Sequence, residues 1–161
     1  MEFFIAEKEV NDIAKRTTSK YHVDISEKGK RDRTYKGILF DSKTEMLFLK
    51  EFIEPKIESG DIKSYTRQVE YVLQDGFTYD GKKILPIKYR SDFNIIWADG
   101  TEQVFDTKGM PDSTSLIKRK LFWFRYPDLK LTYICRNLKF GGWVEYDELK
   151  RLRREGKKKK G

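Results

Sequence analysis

The stretch that decides the reading is Tyr89-Arg-Ser-Asp-Phe-Asn-Ile-Ile-Trp97, then Ala98-Asp99-Gly100, then Thr101-Glu-Gln-Val-Phe-Asp-Thr-Lys-Gly109. An Asp-Gly pair between two apolar runs predicts a β-hairpin. Strand side chains alternate, so Asp106 and Lys108 share one face while Thr107 points the other way. Loop length then decides which residues oppose each other. A two-residue loop pairs Ala98 with Thr101 and sets Asp92 against Thr107, on the wrong face. A three-residue loop pairs Trp97 with Thr101, sets Asp92 against Asp106 and needs Gly100 in the left-handed region. A bulge that restores the phase would serve as well. In that register Asp92, Asn94, Ile96, Val104, Asp106 and Lys108 line one face, and Phe93, Ile95, Trp97 and Phe105 line the other.

Two carboxylates and an amine on one face are the residue types that bind a divalent cation and set positive charge beside a phosphate. The plain alternative is structural: an acid at a strand end caps or solvates it, and Asp-x-Lys is common on strands. A third acid comes from Phe40-Asp-Ser-Lys-Thr-Glu-Met-Leu-Phe-Leu-Lys-Glu-Phe-Ile-Glu54, which reads as a helix over about 42–58. Asp41 or Ser42 can cap it, with Glu45 near the third helical position as in a capping box. Thr44, Leu47, Phe48 and Phe52 mark its inward stripe. Glu45 reads as a capping glutamate or as one that reaches a metal, and the two roles are compatible.

Other chemistries fail on inventory. The one histidine, His22, lies in a polar segment and reads as a surface residue. The single Cys135 sits in the apolar run Leu131-Thr-Tyr-Ile-Cys and reads as a buried strand thiol. No Gly-x-x-x-x-Gly-Lys phosphate loop is present.

The motifs also fall in a telling order: Phe-Asp-Ser-Lys-x-Glu at a helix start, Gln68 on the following strand, Tyr-x-x-Asp-Phe at 89–93, Asp-x-Lys-Gly at 106–109, and Lys-Arg-Lys-Leu-Phe-x-x-Arg-Tyr-Pro at 118–127. Over roughly residues 35–135 this order resembles the phage-associated Holliday-junction-resolvase-like family of the PD-(D/E)xK nuclease superfamily. The resemblance implies that Glu45, Asp92 and Asp106 bind the metal, that the Thr107 carbonyl is a further ligand and that Lys108 is the superfamily lysine. Gln68 would contact the site or the substrate. The implied cofactor is Mg²⁺ or Mn²⁺, the implied substrate is DNA with four-way or other branched junctions, and a homodimer follows from the need to cut two opposed strands. The alternatives are another phage DNA endonuclease (nicking, restriction-like or packaging-associated) and a catalytically inactive DNA-binding or partner-binding module on the same fold.

The expected fold is α/β (α+β), a restriction-endonuclease-like core with a mixed αβββαβ sheet flanked by helices. Its elements are the helix at 42–58, a strand containing Tyr65 to Leu73, a loop through Asp75-Gly76 and Asp80-Gly81, and strands at about 87–97 and 102–107. A helix at 114–125 and a strand at 129–135 follow. Gly141-Gly142 then reads as a hinge or turn before a terminal helix at 145–155. The domain reading is 1–34 as an N-terminal helix (3–16) and a basic arm, either flexible or ordered on DNA or a second subunit, 35–149 as the core, and 150–161 as a basic tail.

The 161 residues carry a net charge of +8. Residues 150–161 hold eight Lys or Arg and one Glu, which makes the tail +7 and leaves +1 for everything before it. Long-range attraction to a polyanion therefore comes from the tail, and any groove in the body is a local basic patch. The candidate DNA contacts are Lys118, Lys120 and Arg125 on the second helix, their apolar neighbours Leu121, Phe122 and Phe124 packing on the sheet, with Lys157, Lys158, Lys159 and Lys160 in the tail. Aromatic side chains read as core and not as a base-stacking platform, which needs exposed rings in a basic groove. No run is long enough to span a membrane, no secretory signal is evident, and one cysteine suits a reducing compartment. The expected location is cytoplasmic, the host cytoplasm for a phage protein.

Overall fold

Residues 23–158 are described by the structure, a computed structural model. The helix expected over 3–16, His22, Lys159 and Lys160 lie outside the described residues. By contacts the chain divides between Leu47 and Phe48.

In the first part, residues 23–34 of the basic arm carry local structure. The Ser26 hydroxyl accepts from Gly29 N at 3.1 Å and caps α1 (Glu27–Asp32). The basic residues are used locally: Lys30 pairs with Glu27 at 2.7 Å and Lys28 with Asp32 at 3.6 Å. Arg33 is buried and donates to the carbonyls of Asp24 and Phe40. A short hairpin, β1 (Thr34–Tyr35) and β2 (Ile38–Leu39), leads to α2 (Lys43–Phe48). Ser42 opens α2: its hydroxyl accepts from Glu45 N at 3.1 Å and donates to Glu45 Oε1 at 3.0 Å.

The helical run continues from α2 through a π-helical turn, Leu49–Ile53, into α3 (Glu54–Glu58). Pro55 explains the turn, because it has no N–H and its ring clashes with the carbonyl four residues back. The extra residue per turn shifts the helical phase. Leu49 and Ile53 are thereby buried beside Phe48, a wider stripe than the sequence predicted.

The second part is built on a five-stranded mixed sheet in the order β11-β10-β9-β8-β3. Its strands are β3 (Ile62–Arg67), β8 (Phe93–Trp97), β9 (Glu102–Thr107), β10 (Lys130–Asn137) and β11 (Gly142–Glu145). β3, β8 and β9 run antiparallel in turn, β9 and β10 are parallel, and β11 closes the edge antiparallel to β10. A parallel pair needs a crossover, supplied by α4 (Ser113–Arg125), whose N-cap Asp112 accepts from Ser115 N at 2.7 Å.

Three elements differ from the sequence reading. The run 65–73 is two strands: Gln68 adopts φ +55 between β3 and β4 (Glu70–Gln74). The run 87–97 is also two, β7 (Ile87–Arg90) and β8, parted at Ser91-Asp92, and β4 pairs with β7 in a separate ribbon. The segment 75–85 is not a loop but a hairpin, β5 (Phe77–Tyr79) and β6 (Lys82–Ile84). Gly141 is a turn residue with φ +91 after a 3-10 turn (Leu138–Phe140), and Gly142 starts β11, which α5 (Tyr146–Lys158) follows. Residues 150–158 of the expected tail are thus helical.

Strand alternation gives the sheet two unlike faces. Phe93 and Phe105 meet Phe48, with ring centroids 5.5 and 5.4 Å away, and Phe48 stacks on Phe52 at 4.7 Å. On the other face Val104, Leu131, Tyr133 and Cys135 form a core with Tyr89, Phe122 and Leu149. Cys135 is buried in β10 as expected, and burial pushes its thiol pKa up.

Candidate active site

The β8–β9 turn has the odd loop that the face argument required. Trp97 N donates to Thr101 O at 2.9 Å, and Gly100 has φ +88. The ladder pairs Phe93 with Phe105 and Asn94 with Val104, so Asp92 stands one step beyond it, in line with Asp106.

Asp106 is 3 % exposed at the end of β9. Its Oδ1 pairs with Lys108 Nζ at 2.9 Å and its Oδ2 accepts from the Tyr89 hydroxyl at 2.9 Å. The Asp92 carboxyl lies near enough to Asp106 to influence its titration. Asp92 Oδ2 accepts from both Thr107 N (2.7 Å) and Thr107 Oγ1 (2.9 Å). Lys108 is fixed from behind: its backbone N donates to Ile134 O at 2.8 Å, and its ammonium lies 5.4 Å from the Tyr133 ring centre. Both acids and the amine therefore converge.

Burial raises the Asp106 pKa, although Lys108, Tyr89 and Asp92 all act to lower it. For Lys108, burial works to lower the pKa, but the Asp106 carboxylate outweighs it and holds the ammonium above its ordinary value. Burial raises the Tyr89 pKa, and the Asp106 charge beside it adds to the effect. The phenol therefore stays a donor that aims the carboxylate.

Tyr89 is the functional candidate that the sequence reading passed over, although it begins the Tyr-x-x-Asp-Phe motif. On one continuous strand, residues three apart face opposite ways. The bend at Ser91-Asp92 brings Tyr89 and Asp92 to the same carboxylate. Gln68 is not on a strand, yet its backbone N donates to Asp92 O at 3.2 Å and ties the β3–β4 corner to that bend.

The remaining candidates are placed as follows. Glu45 is 6 % exposed and engages Ser42. Lys118 Nζ donates to Lys88 O at 2.9 Å, and Arg125 pairs with Asp75 at 2.9 Å, so both have protein partners. Lys120 is exposed on α4. Arg119 does not face outward: its side chain is 12 % exposed, pairs with Asp147 at 2.9 Å and lies over the Trp123, Tyr133 and Tyr146 rings. Phe124 does not pack on the sheet but is 88 % exposed, whereas Phe122 is fully buried. Lys157 and Lys158 form the last turn of α5.

The donor chemistry fits a hard cation. Carboxylate oxygens, with backbone carbonyls, are the ligands Mg²⁺ and Mn²⁺ prefer. Each carboxylate has about four acceptor directions, and the donors named above use two at Asp106. Among the described residues there is no group of three or more His, Cys, Asp or Glu that could hold a metal ion. Nor is any helix among them long and apolar enough to cross a membrane.

No curated protein matches the chain. The family model that does match spans residues 25–142, more than half of the sequence, and is described as Protein of unknown function (DUF1064); the chain belongs to that family.

Proposed function

We propose that this protein is a metal-dependent endodeoxyribonuclease with a PD-(D/E)xK-type site, acting on four-way or other branched DNA. The observation that carries this reading is the convergence of Asp92, Asp106 and Lys108 at the ends of β8 and β9, with Asp106 buried and held between Lys108 and Tyr89. A buried carboxylate costs stability unless something compensates it, and such a cost is characteristic of a working site.

In this reading Asp92, Asp106 and the Thr107 carbonyl hold Mg²⁺ or Mn²⁺. Glu45 joins them on the strength of its place in the motif order. The bound cation supplies Lewis acidity and a more acidic water for phosphodiester hydrolysis. The protein's own groups do the rest. Tyr89 orients the Asp106 carboxylate, and Thr107 fixes Asp92 through two donors. Lys108 offers its ammonium to the phosphate oxygens as they gain negative charge. Lys120, Lys157 and Lys158 give exposed positive charge for the DNA backbone, with Lys159 and Lys160 beyond them. Lys118 and Arg125 contribute only by leaving their present partners. A homodimer in the cytoplasm completes the proposal, since resolving a junction takes two cuts.

A second reading is a DNA-binding or partner-binding module without catalysis. It is favoured by the way Lys108 and Tyr89 satisfy Asp106 within the protein, as in a structural ion pair. Matched four-way, nicked and linear substrates with Mg²⁺ separate the two. The nuclease reading expects cleavage, fastest on the four-way junction and lost in Asp106→Asn. No cleavage of any substrate by the wild type would leave the binding module.

A further inference from the structure

The hairpin of β5 and β6 pairs only with itself among the described strands. Its two-residue loop has Asp80 at φ +47 and Gly81 at φ +71, the both-positive turn that matches strand twist. Its base is held close: a Cβ on Gly76 would lie 3.1 Å from Ile84 O and 3.3 Å from the Pro86 ring. A short, well-formed ribbon thus stands on a tight base, and what it displays is unusual. Tyr79 is 69 % exposed, Phe77 47 % and Leu85 70 %.

Cross-strand partners share a face. Phe77 lies opposite Ile84 and Tyr79 opposite Lys82, so two rings, an aliphatic side chain and an ammonium lie together, with Thr78 and Lys83 on the reverse. Among the described residues neither Lys82 nor Lys83 makes an ion pair, unlike nearby Lys88, which is bound to Glu70 at 2.7 Å. Exposed rings flanked by unpaired cations suit a polyanion that also offers flat apolar faces. Nucleic-acid bases stack on aromatic side chains while lysines take the phosphates. In an intact duplex those base faces are covered, whereas at a branch point or a single-stranded gap they are open.

We propose that the β5–β6 ribbon is a wedge that reads branched DNA, with Tyr79 and Phe77 stacking on bases opened at the branch and Lys82 and Lys83 holding the flanking phosphates. This rests on the nuclease reading and names the source of its preference for branched substrates.

The test is fluorescence anisotropy of the full chain with a labelled synthetic four-way junction and a linear duplex of the same sequence, without added divalent metal so that binding is read apart from cleavage. Wild type should bind the junction more tightly than the duplex. Tyr79→Ala should weaken junction binding roughly tenfold and close the gap to the duplex, and Tyr79→Trp should restore it. Lys82→Ala with Lys83→Ala should lower the slope of log affinity against log salt by nearly two. All these positions are surface ones, so thermal midpoints should stay at the wild-type value. Wild-type binding that no ribbon variant alters would overturn the wedge and leave the nuclease reading intact. A change in sedimentation with Tyr79→Ala at unchanged DNA affinity would assign the ribbon to self-association and also overturn it. Ribbon-dependent binding without cleavage would keep the wedge and remove the nuclease, and no DNA binding at all would remove both.

Discussion

Two hairpins in this protein turn on the same dipeptide, Asp-Gly, and have opposite characters. At Asp99-Gly100 the loop has three residues and the strands are buried: Phe93, Ile95 and Val104 are fully covered. At Asp80-Gly81 the loop has two residues and almost every side chain is in solvent. The odd loop sets the phase that aligns Asp92 with Asp106, and burial on both faces then locks it. The even loop sets Tyr79 against Lys82, and its side chains are too exposed for burial to enforce that register. Turn chemistry chose a hairpin in both places. Packing decided which became a rigid site and which a surface probe.

The largest effect should come from disturbing the buried phase. Deleting Ala98 forces a two-residue loop and moves the β9 side chains to the wrong faces, so the chain should fail to fold cooperatively, read by circular dichroism and thermal melting. Inserting one glycine between Asp80 and Gly81 should change stability by less than about 0.5 kcal/mol. If both changes were tolerated equally, the contrast would be wrong.

Next comes chemistry against stability. Asp92→Asn and Asp106→Asn should each cut DNA cleavage at least about a hundredfold. Asp106→Asn should also stabilise the fold by about 1 kcal/mol at neutral pH. The sign follows from burial: with its folded-state pKa raised, Asp106 favours folding most below the ordinary carboxylate range and least once pH exceeds the raised value. A lower melting temperature for Asp106→Asn would make the pair structural.

Packing follows the same divide. Phe48→Ala should cost about 3–5 kcal/mol by opening a cavity against Phe93 and Phe105, while Tyr79→Ala should stay within about 0.5 kcal/mol. A modest effect concerns Glu51, whose carboxylate accepts from Arg136 Nε and Nη2 at 2.8 Å each. That hydrogen bonding holds its pKa below the ordinary value against the opposing effect of burial. The pair's contribution is present above the unfolded glutamate pKa and lost as pH falls through the lowered one. Glu51→Gln should therefore cost about 0.5–1 kcal/mol at neutral pH and nothing in strong acid, measured by urea unfolding.

Much of the site was legible because alternation and loop length are local rules. Asp92, Asp106 and Lys108 could be placed on one face from Trp97, Gly100 and Thr101 alone. The Ser42–Glu45 cap was legible for the same reason. What escaped depended on contacts distant in sequence or on backbone breaks. Tyr89 joins Asp106 only because the chain bends at Ser91-Asp92, and nothing in the run 87–97 announced that bend. Gln68 looked like a strand residue because its positive φ is set by its tie to Asp92. The ribbon at 77–84 looked like a loop because its strands are only three residues long and two Asp-Gly pairs crowd them. Residues 23–34 looked like an arm because their charge outweighed the Ser26 cap and the burial of Arg33.

The most direct measurement is titration of the full chain with Mn²⁺, followed by water-proton relaxation. The account predicts saturable binding that Asp92→Asn and Asp106→Asn each abolish, while Tyr79→Ala binds as the wild type does. Binding that survives in both carboxylate variants, or no binding by the wild type, would contradict it.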